Sequence, residues 1–173
     1  MVFILLMILW MGGIFAFSSR SGSESADDSY FVGTMVGELC VPGFDDWSAQ
    51  EQQDFAQKID HPVRKTAHAT EYAILGILAA GVCIPTAVRQ SGGRSVPEKT
   101  RCSRFVKIGR ELLLPWAIAA VYAATDEFHQ LFVPGRSGQI SDVILDSAGA
   151  LAGLLILTAA RKIRSRDQNK PEK

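Results

Sequence analysis

Four apolar blocks, each close to the length that a helix needs to cross a membrane, constrain this chain more than any other feature. They cover residues 1–17, about 67–88, about 112–134 and about 140–160. A hydrocarbon core about 30 Å thick needs ~20 apolar residues in a helix. The stretches LGILAAGVCIPTAV and GALAGLLILTAA are apolar on every side, whereas a soluble helix keeps a polar face along its length. The sequence therefore predicts an all-α membrane protein, residues 1–173 forming one domain with a four-transmembrane-helix bundle.

The first block resembles the apolar part of a secretory signal, because Ala16 and the serines after it form a small-residue region. Signal peptides also carry a basic segment ahead of their apolar part, and this block has none. We therefore expect the first block to be a retained transmembrane helix.

Lysine and arginine are unevenly distributed between the connections. The stretch 89–110 carries seven basic residues against one acid, and the tail 161–173 adds six basic residues. The connection 18–66 carries four basic residues against nine acids. Because cytoplasmic connections are enriched in lysine and arginine, the loop 89–111, the tail 161–173 and both termini are predicted to be cytoplasmic, and the loop 18–66 is predicted to lie outside.

The connection 18–66 has helical pattern in two places. Ser48 is followed three residues later by Glu51, a capping-box pattern that starts the amphipathic segment SAQEQQDFAQKI. A second apolar face runs through residues 30–39. We expect short amphipathic helices there, lying on the outer membrane surface or capping the bundle.

Ionisable residues inside the apolar blocks gather at one end of each helix and follow helical spacing. On the last helix, Asp142 and Asp146 share a face with Gly149 and Gly153, so this face is predicted to pack closely against a neighbouring helix and to turn both acids inward. Two further stripes have similar spacing: Arg64, His68, Glu71 and Tyr72 on the second helix, and Tyr122, Asp126, His129 and Gln130 on the third, with Glu127 beside them.

The short segment VPGRSGQ connects the third helix to the fourth. Pro134 and Gly135 suit a tight turn, which makes the two helices antiparallel neighbours. Arg136 is then held over the helix ends, where its planar guanidinium can bind a carboxylate or a phosphate. Arg20 and Lys65 are expected at the same level, so a polar site facing outside is predicted within the membrane.

Three stretches make the chain resemble the VanZ-like family: KTAHATEYAILG (65–76), YAATDEFHQLFVPGRSGQISDVILDSAGALAG (122–153) and the serine-rich FSSRSGSES (17–25). The resemblance implies a small multi-pass protein of the bacterial cell membrane. The family is named for a member linked to resistance to the glycopeptide teicoplanin, so the resemblance also suggests a role in antibiotic resistance and the cell envelope.

Three interpretations of the polar site remain open. In the first, it binds an envelope lipid, a cell-wall precursor or a lipoglycopeptide. In the second, it is a hydrolase or transferase site for a lipid-linked phosphate, with a divalent cation as one candidate cofactor. In the third, pairs such as Arg64 with Glu71, and Arg136 with Asp142 or Asp126, only fix the helix register. Whether the protein is an enzyme is left undecided.

The candidate residues follow from these interpretations. The catalytic candidates are Glu71, Asp126 and His129. The binding candidates are Arg20, Arg64, Lys65, His68, Tyr72, Glu127, Gln130, Arg136, Asp142 and Asp146. The expected partners are the lipid bilayer and a lipid-linked precursor or lipoglycopeptide, and no nucleic acid is expected, because the basic stretches suit topology and lipid headgroups.

Overall fold

The computed structural model describes residues 1–84 and 109–168, and the regular structure in these two ranges is helical throughout. A 3-10 turn, Phe44–Asp46, and a π-helical turn, Gly109–Leu113, separate the longer helices. These are α1 (Val2–Ser18), α2 (Gly22–Cys40), α3 (Ala49–Cys83), α4 (Leu114–Gln130) and α5 (Ile140–Gln168). Residues 89–108 of the loop predicted to be cytoplasmic, and residues 169–173 of the predicted cytoplasmic tail, lie outside the described residues.

Two helices, α3 and α5, are long and apolar enough to cross a membrane. The pair α1 and α2 counts as a third candidate span if the two are taken together, although they meet at a bend of 104°. By themselves α1 and α4 are 17 residues long each, at the lower limit for a span. The protein is therefore an all-helical membrane protein with two or three candidate spans, and the bundle of four spans stays a prediction.

Helix α3 begins at Ala49 and not near residue 67, where the apolar block starts. Ser48 forms the predicted capping box: its side chain accepts from the Glu51 backbone N–H, and the Glu51 carboxylate accepts from the Ser48 backbone N–H at 2.8 Å. The helix then continues through Pro62 without a break. Apolarity marked only the half of α3 that suits the membrane, so the segment expected to form a separate short helix is the start of this longer one.

Helix α2 packs along the first half of α3 through small residues. Its buried stripe is Ser25, Ser29, Gly33 and Gly37, four residues apart. A Cβ atom built on Gly33 would lie 2.9 Å from the Cβ of Ala56, so the two helices touch closely here. The expected apolar segment 30–39 is thus part of a 19-residue helix, and its position on a membrane surface stays a prediction.

The contact between α3 and α5 is made by small residues on both helices. Cβ atoms built on Gly149 and Gly153 would collide with the carbonyl oxygens of Ala69 and Ala73 on α3. From the other side, a Cβ built on Gly76 would lie 2.8 Å from the carbonyl oxygen of Ala150. The close packing that the glycine stripe predicted is therefore present, and it turns Asp142 and Asp146 toward α3.

Two tryptophans form hydrogen bonds between helices in the apolar half of the bundle. The Nε1 group of Trp10 on α1 donates to the carbonyl oxygen of Glu71 at 2.9 Å, and that of Trp116 on α4 donates to the carbonyl oxygen of Ser147 at 3.0 Å. These indole groups pack against a core that includes the buried Tyr72 and Leu75 of α3. The sequence alone assigned no role to either tryptophan.

Adding one methyl group at the α3–α5 contact should destabilise the protein. Gly149→Ala and Gly153→Ala place a Cβ against backbone carbonyl oxygens that cannot rotate away, at a cost of about 1–3 kcal/mol. Gly12→Ala in α1 is the matched control, because no atom lies within 4 Å of a Cβ built there. Thermal unfolding in detergent should show lower midpoints for the first two variants only, and equal midpoints for all three would contradict this packing.

Candidate ligand-binding site

Mostly polar residues of all five longer helices and of the turn between α4 and α5 surround two cavities at one end of the apolar bundle. The first, which we call the hairpin cavity, has a volume of about 220 Å³ and lies between α3, α4, α5 and the turn that joins α4 to α5. Its walls are His61, Arg64, Lys65, His68, Glu127, Gln130, Gly135, Arg136, Ser137, Gln139, Asp142, Leu145 and Asp146. Most of the binding candidates from the sequence therefore share one cavity.

The second, which we call the α2 cavity, has a volume of about 270 Å³ and lies between the end of α1, α2 and α3. Its polar walls include Arg20, Asp28 and Glu71, and its apolar walls include Phe17 and Val32. Three residues line both cavities: Arg64, His68 and Arg136. The two cavities are thus neighbours separated by two guanidinium groups and an imidazole.

The turn between α4 and α5 holds Arg136 in this position. Gly135 has a φ of +73°, a backbone conformation that favours glycine. The backbone N–H of Gly22, at the start of α2, donates to the carbonyl oxygen of Pro134 at 3.0 Å. The Nε group of Arg136 donates to the carbonyl oxygen of Arg20 at 3.2 Å. The predicted turn at Pro134 and Gly135 is confirmed. These two hydrogen bonds connect it to the segment between α1 and α2.

The ion pairs of the site differ from those that the sequence suggested. Lys65 pairs with Asp142 across the α3–α5 contact at 2.9 Å. Arg64 pairs with Asp60, one turn away on α3, at 2.7 Å, and the expected pair with Glu71 does not form. An ion pair between helices depends on how far along each helix its two residues lie and on which side of the helix they point. Residue spacing in the sequence fixes these positions only approximately.

Arg136 has no carboxylate partner within salt-bridge distance in the part of the chain that the structure describes. The expected pairing with Asp142 or Asp126 is therefore wrong, since Asp142 is held by Lys65. Burial, and next the positive charge of Arg64, lower the pKa of the Arg136 guanidinium. A half-buried cation without a partner is a strong attractor for an anion.

Gln130, which also lines the hairpin cavity, and Asp126 lie beside the end of α1. The Gln130 side-chain amide donates to the Ser18 hydroxyl at 2.9 Å, and it approaches the Asp126 carboxylate at 3.4 Å. All three residues are buried. These contacts hold α4 against α1, and Ser18 belongs to the serine-rich segment that the sequence singled out.

The three catalytic candidates do not line a common cavity. Glu71 lines the α2 cavity, and Asp126 is buried between α4 and α1. The Nε2 atom of His129 lies 3.2 Å from the Ser19 hydroxyl, and its ring stacks on Phe15 at 4.5 Å between centroids. His129 is not part of the wall of either cavity.

Several buried polar atoms of the site have no hydrogen-bond partner in the part of the chain that the structure describes. Asp146 is 0% exposed, and both of its carboxylate oxygens are unpartnered. The hydroxyl of Tyr72, a residue that is also fully buried, and the Nδ1 atom of His68 likewise have no hydrogen-bond partner among the described residues. Glu127, by contrast, accepts from the backbone N–H of Gln139 at 2.9 Å. Unpartnered buried groups are rare and costly, so they mark places where a ligand or water is expected.

Sequence reasoning missed three polar residues of the hairpin cavity, His61, Ser137 and Gln139, and the apolar Leu145. His61 falls in the connection 18–66, but it lies within α3. Its spacing from Lys65 and His68, four and seven residues, would have placed it on the same stripe if the helix had been extended from the capping box. A missed helix start therefore caused a missed wall residue.

A divalent cation was one candidate cofactor. In the described ranges, no three histidine, cysteine, aspartate or glutamate side chains come together in a way that could hold a metal ion. The acids of the site are instead distributed between α3, α4 and α5, with Lys65 and Arg136 among them.

Comparison with protein families identifies a family that the chain matches. The model of a family described as VanZ/LLP1 matches residues 3–161. No curated protein and no solved structure matches the chain. The matched range begins in α1 and ends in α5, so it contains every residue that lines the two cavities.

The pair between Lys65 and Asp142 should couple α3 to α5. A double-mutant cycle with Lys65→Met and Asp142→Asn is expected to give a coupling free energy of roughly 0.5–1 kcal/mol, because both side chains are partly shielded from water. A second cycle with Arg64→Met and Asp60→Asn is the control, since a pair within one helix contributes about 0.3–0.5 kcal/mol. Unfolding in detergent measures both, and zero coupling for the first pair would contradict its interhelical role.

Proposed function

The chain belongs to the VanZ/LLP1 family, and from this membership and the two polar cavities we propose that it binds the phosphate-bearing headgroup of an envelope lipid. The lipid lies with its headgroup in the hairpin cavity, at the polar end of the bundle. This lipid class includes lipid-linked cell-wall precursors. Binding, and not a reaction, is the function that the arrangement of the site supports best.

The observation that carries this proposal is the unpaired guanidinium of Arg136. Its Nε group is occupied by the carbonyl oxygen of Arg20, which leaves the terminal nitrogens for a ligand. A guanidinium offers a planar pair of donors that matches two phosphate oxygens. Arg136 also lines both cavities, so an anion bound there can be reached from either side. A lipoglycopeptide is the less favoured ligand, because this geometry selects a compact anion.

The surroundings of the cavities favour a ligand that comes from the membrane. Helices α4 and α5 expose large apolar side chains next to the polar end, among them Phe128, Phe132 and Ile144. Acyl chains have favourable contacts with such surfaces while the headgroup enters the cavity. We place the site on the outer face, because the acidic connection 18–66 is at this end and the basic stretch 89–110 follows the opposite end of α3.

Binding is favoured over catalysis because the three catalytic candidates, Glu71, Asp126 and His129, do not line one cavity. General acid–base catalysis needs its groups within hydrogen-bond reach of one substrate. Glu71 lines the α2 cavity, whereas His129 lies outside the walls of both cavities. A purely structural network is the weaker alternative for a different reason: such a network would pair Arg136 with one of the acids around it.

Removing the charge of Arg136 should weaken lipid binding. With purified protein in detergent and short-chain phosphatidylglycerol as the probe, Arg136→Gln is expected to reduce affinity roughly ten- to hundredfold, the loss of one or two charge-assisted hydrogen bonds. Lys58→Gln is the matched control, because Lys58 is an exposed cation of α3 that lines neither cavity. Calorimetric titration measures both, and an equal loss in the two variants, or none in Arg136→Gln, would contradict the proposal.

A contribution to glycopeptide resistance would follow from holding an envelope lipid or precursor away from the drug. In the host, deletion of the coding sequence is then expected to increase susceptibility to teicoplanin-type glycopeptides. Restoring the gene with Lys58→Gln should return resistance, and restoring it with Arg136→Gln should not, at equal abundance of the two proteins in the membrane. Minimum inhibitory concentrations provide the measurement, and full rescue by Arg136→Gln would separate resistance from this site.

A further inference from the structure

Asp146 makes the hairpin cavity better suited to an anion that also carries a hydrogen-bond donor than to an anion alone. Asp146 is one of the residues that surround the cavity and is 0% exposed, and neither of its carboxylate oxygens has a hydrogen-bond partner within residues 1–84 and 109–168. An isolated buried carboxylate is strongly unfavourable unless a cation or several donors face it. The nearby lysine does not serve, because Lys65 is paired with Asp142. A ligand group that enters the cavity and donates hydrogen bonds to Asp146 would remove this cost.

The charges that remain after pairing have both signs. Lys65 with Asp142, and Arg64 with Asp60, form internal pairs. Arg136 is left as an unpaired cation, and Asp146 and Glu127 are left as buried acids, although Glu127 accepts one backbone hydrogen bond. A ligand complementary to this cavity has a negative group for Arg136 and a positive group that donates hydrogen bonds to Asp146.

The positive group is better supplied by an ammonium than by a metal ion. Divalent cations take several oxygen or nitrogen ligands at once, and no three such side chains come together within residues 1–84 and 109–168. A primary ammonium has three N–H donors. Each donor needs only one acceptor oxygen, so an ammonium can bind to a single carboxylate without a full set of metal ligands. The Tyr72 hydroxyl is a further unpartnered group of the same region.

The size of the cavity fits a headgroup and excludes a bulky ligand. Its volume of about 220 Å³ is far larger than the ~30 Å³ share of one water molecule. It is smaller than the ~300 Å³ at which pockets for drug-sized molecules begin. A phosphate joined to a short amine occupies a volume in this range.

We propose that the hairpin cavity binds an aminophosphate headgroup of the phosphoethanolamine type, with the phosphate at Arg136 and the primary ammonium at Asp146. The proposal rests on the proposed function, since it gives the chemical class of the lipid bound there. Glu127 stands beside the ammonium as a second acid, and the acyl chains remain outside the cavity, against the apolar faces of α4 and α5.

The test compares two short-chain lipids that share a phosphate: phosphatidylethanolamine, which carries the ammonium, and phosphatidylglycerol, which does not. The unmodified protein in detergent should bind phosphatidylethanolamine at least about tenfold more tightly than phosphatidylglycerol. Asp146→Asn, which preserves side-chain shape, should remove this preference, because it weakens the binding of phosphatidylethanolamine and does not weaken that of phosphatidylglycerol. Arg136→Gln should weaken both lipids alike, and Lys58→Gln should change neither.

The outcomes separate this inference from the function on which it rests. No preference in the unmodified protein, which needs no variant to measure, overturns the aminophosphate headgroup while phosphatidylglycerol binding through Arg136 stands. A preference that survives in Asp146→Asn overturns the role of Asp146. If neither lipid depends on Arg136, the proposed function itself fails. Glycerophosphoethanolamine, which has the headgroup without acyl chains, should bind more weakly, and equal binding would assign the cavity to a soluble aminophosphate and overturn the lipid.

Discussion

The close contact between α3 and α5 is the interaction on which the rest of the site depends. Gly149 and Gly153 allow the α5 backbone to touch the carbonyl oxygens of Ala69 and Ala73, and larger residues would move the helices apart. One turn above these glycines lies Asp146, and a further turn above lies Asp142, paired with Lys65. A shift of one helical turn moves a side chain by about 5.4 Å, so the glycine contact fixes which acid meets a cation and which is left without one.

The second constraint is the fastening of the turn between α4 and α5 to the start of α2. Gly22 donates to Pro134, and Arg136 donates to Arg20, so the segment between α1 and α2 is a structural part of the site and not only a connection. Gly22 has to be a glycine, because a Cβ atom there would overlap the Gly135 backbone. The position of Arg136 between the two cavities thus follows from backbone contacts and does not require an ion pair.

Much of this arrangement could be predicted from residue spacing, because spacing on a helix fixes which residues share a face. The stripe from Asp142 to Gly153 and the turn at Pro134 and Gly135 are present as predicted. The partners within the site could not be predicted, since an ion pair requires both the level and the rotation of two helices to within a few ångströms. Apolarity also gave the wrong start for α3, because it marks the part of a helix that suits a membrane and says nothing about where the helix begins.

The unpaired charges within the described residues are the feature on which the proposed ligand binding depends. A bundle that needed only stability would pair Arg136 with Asp146 or replace both with apolar residues. Instead, Asp142 pairs with Lys65, and Arg136 donates to a backbone carbonyl oxygen. Within the described residues, both carboxylate oxygens of Asp146 have no donor. Local rules of this kind are broken mainly at functional sites. In the proposed complex, one ligand provides a partner for each of the two charges, which would recover the unfavourable energy of keeping them apart.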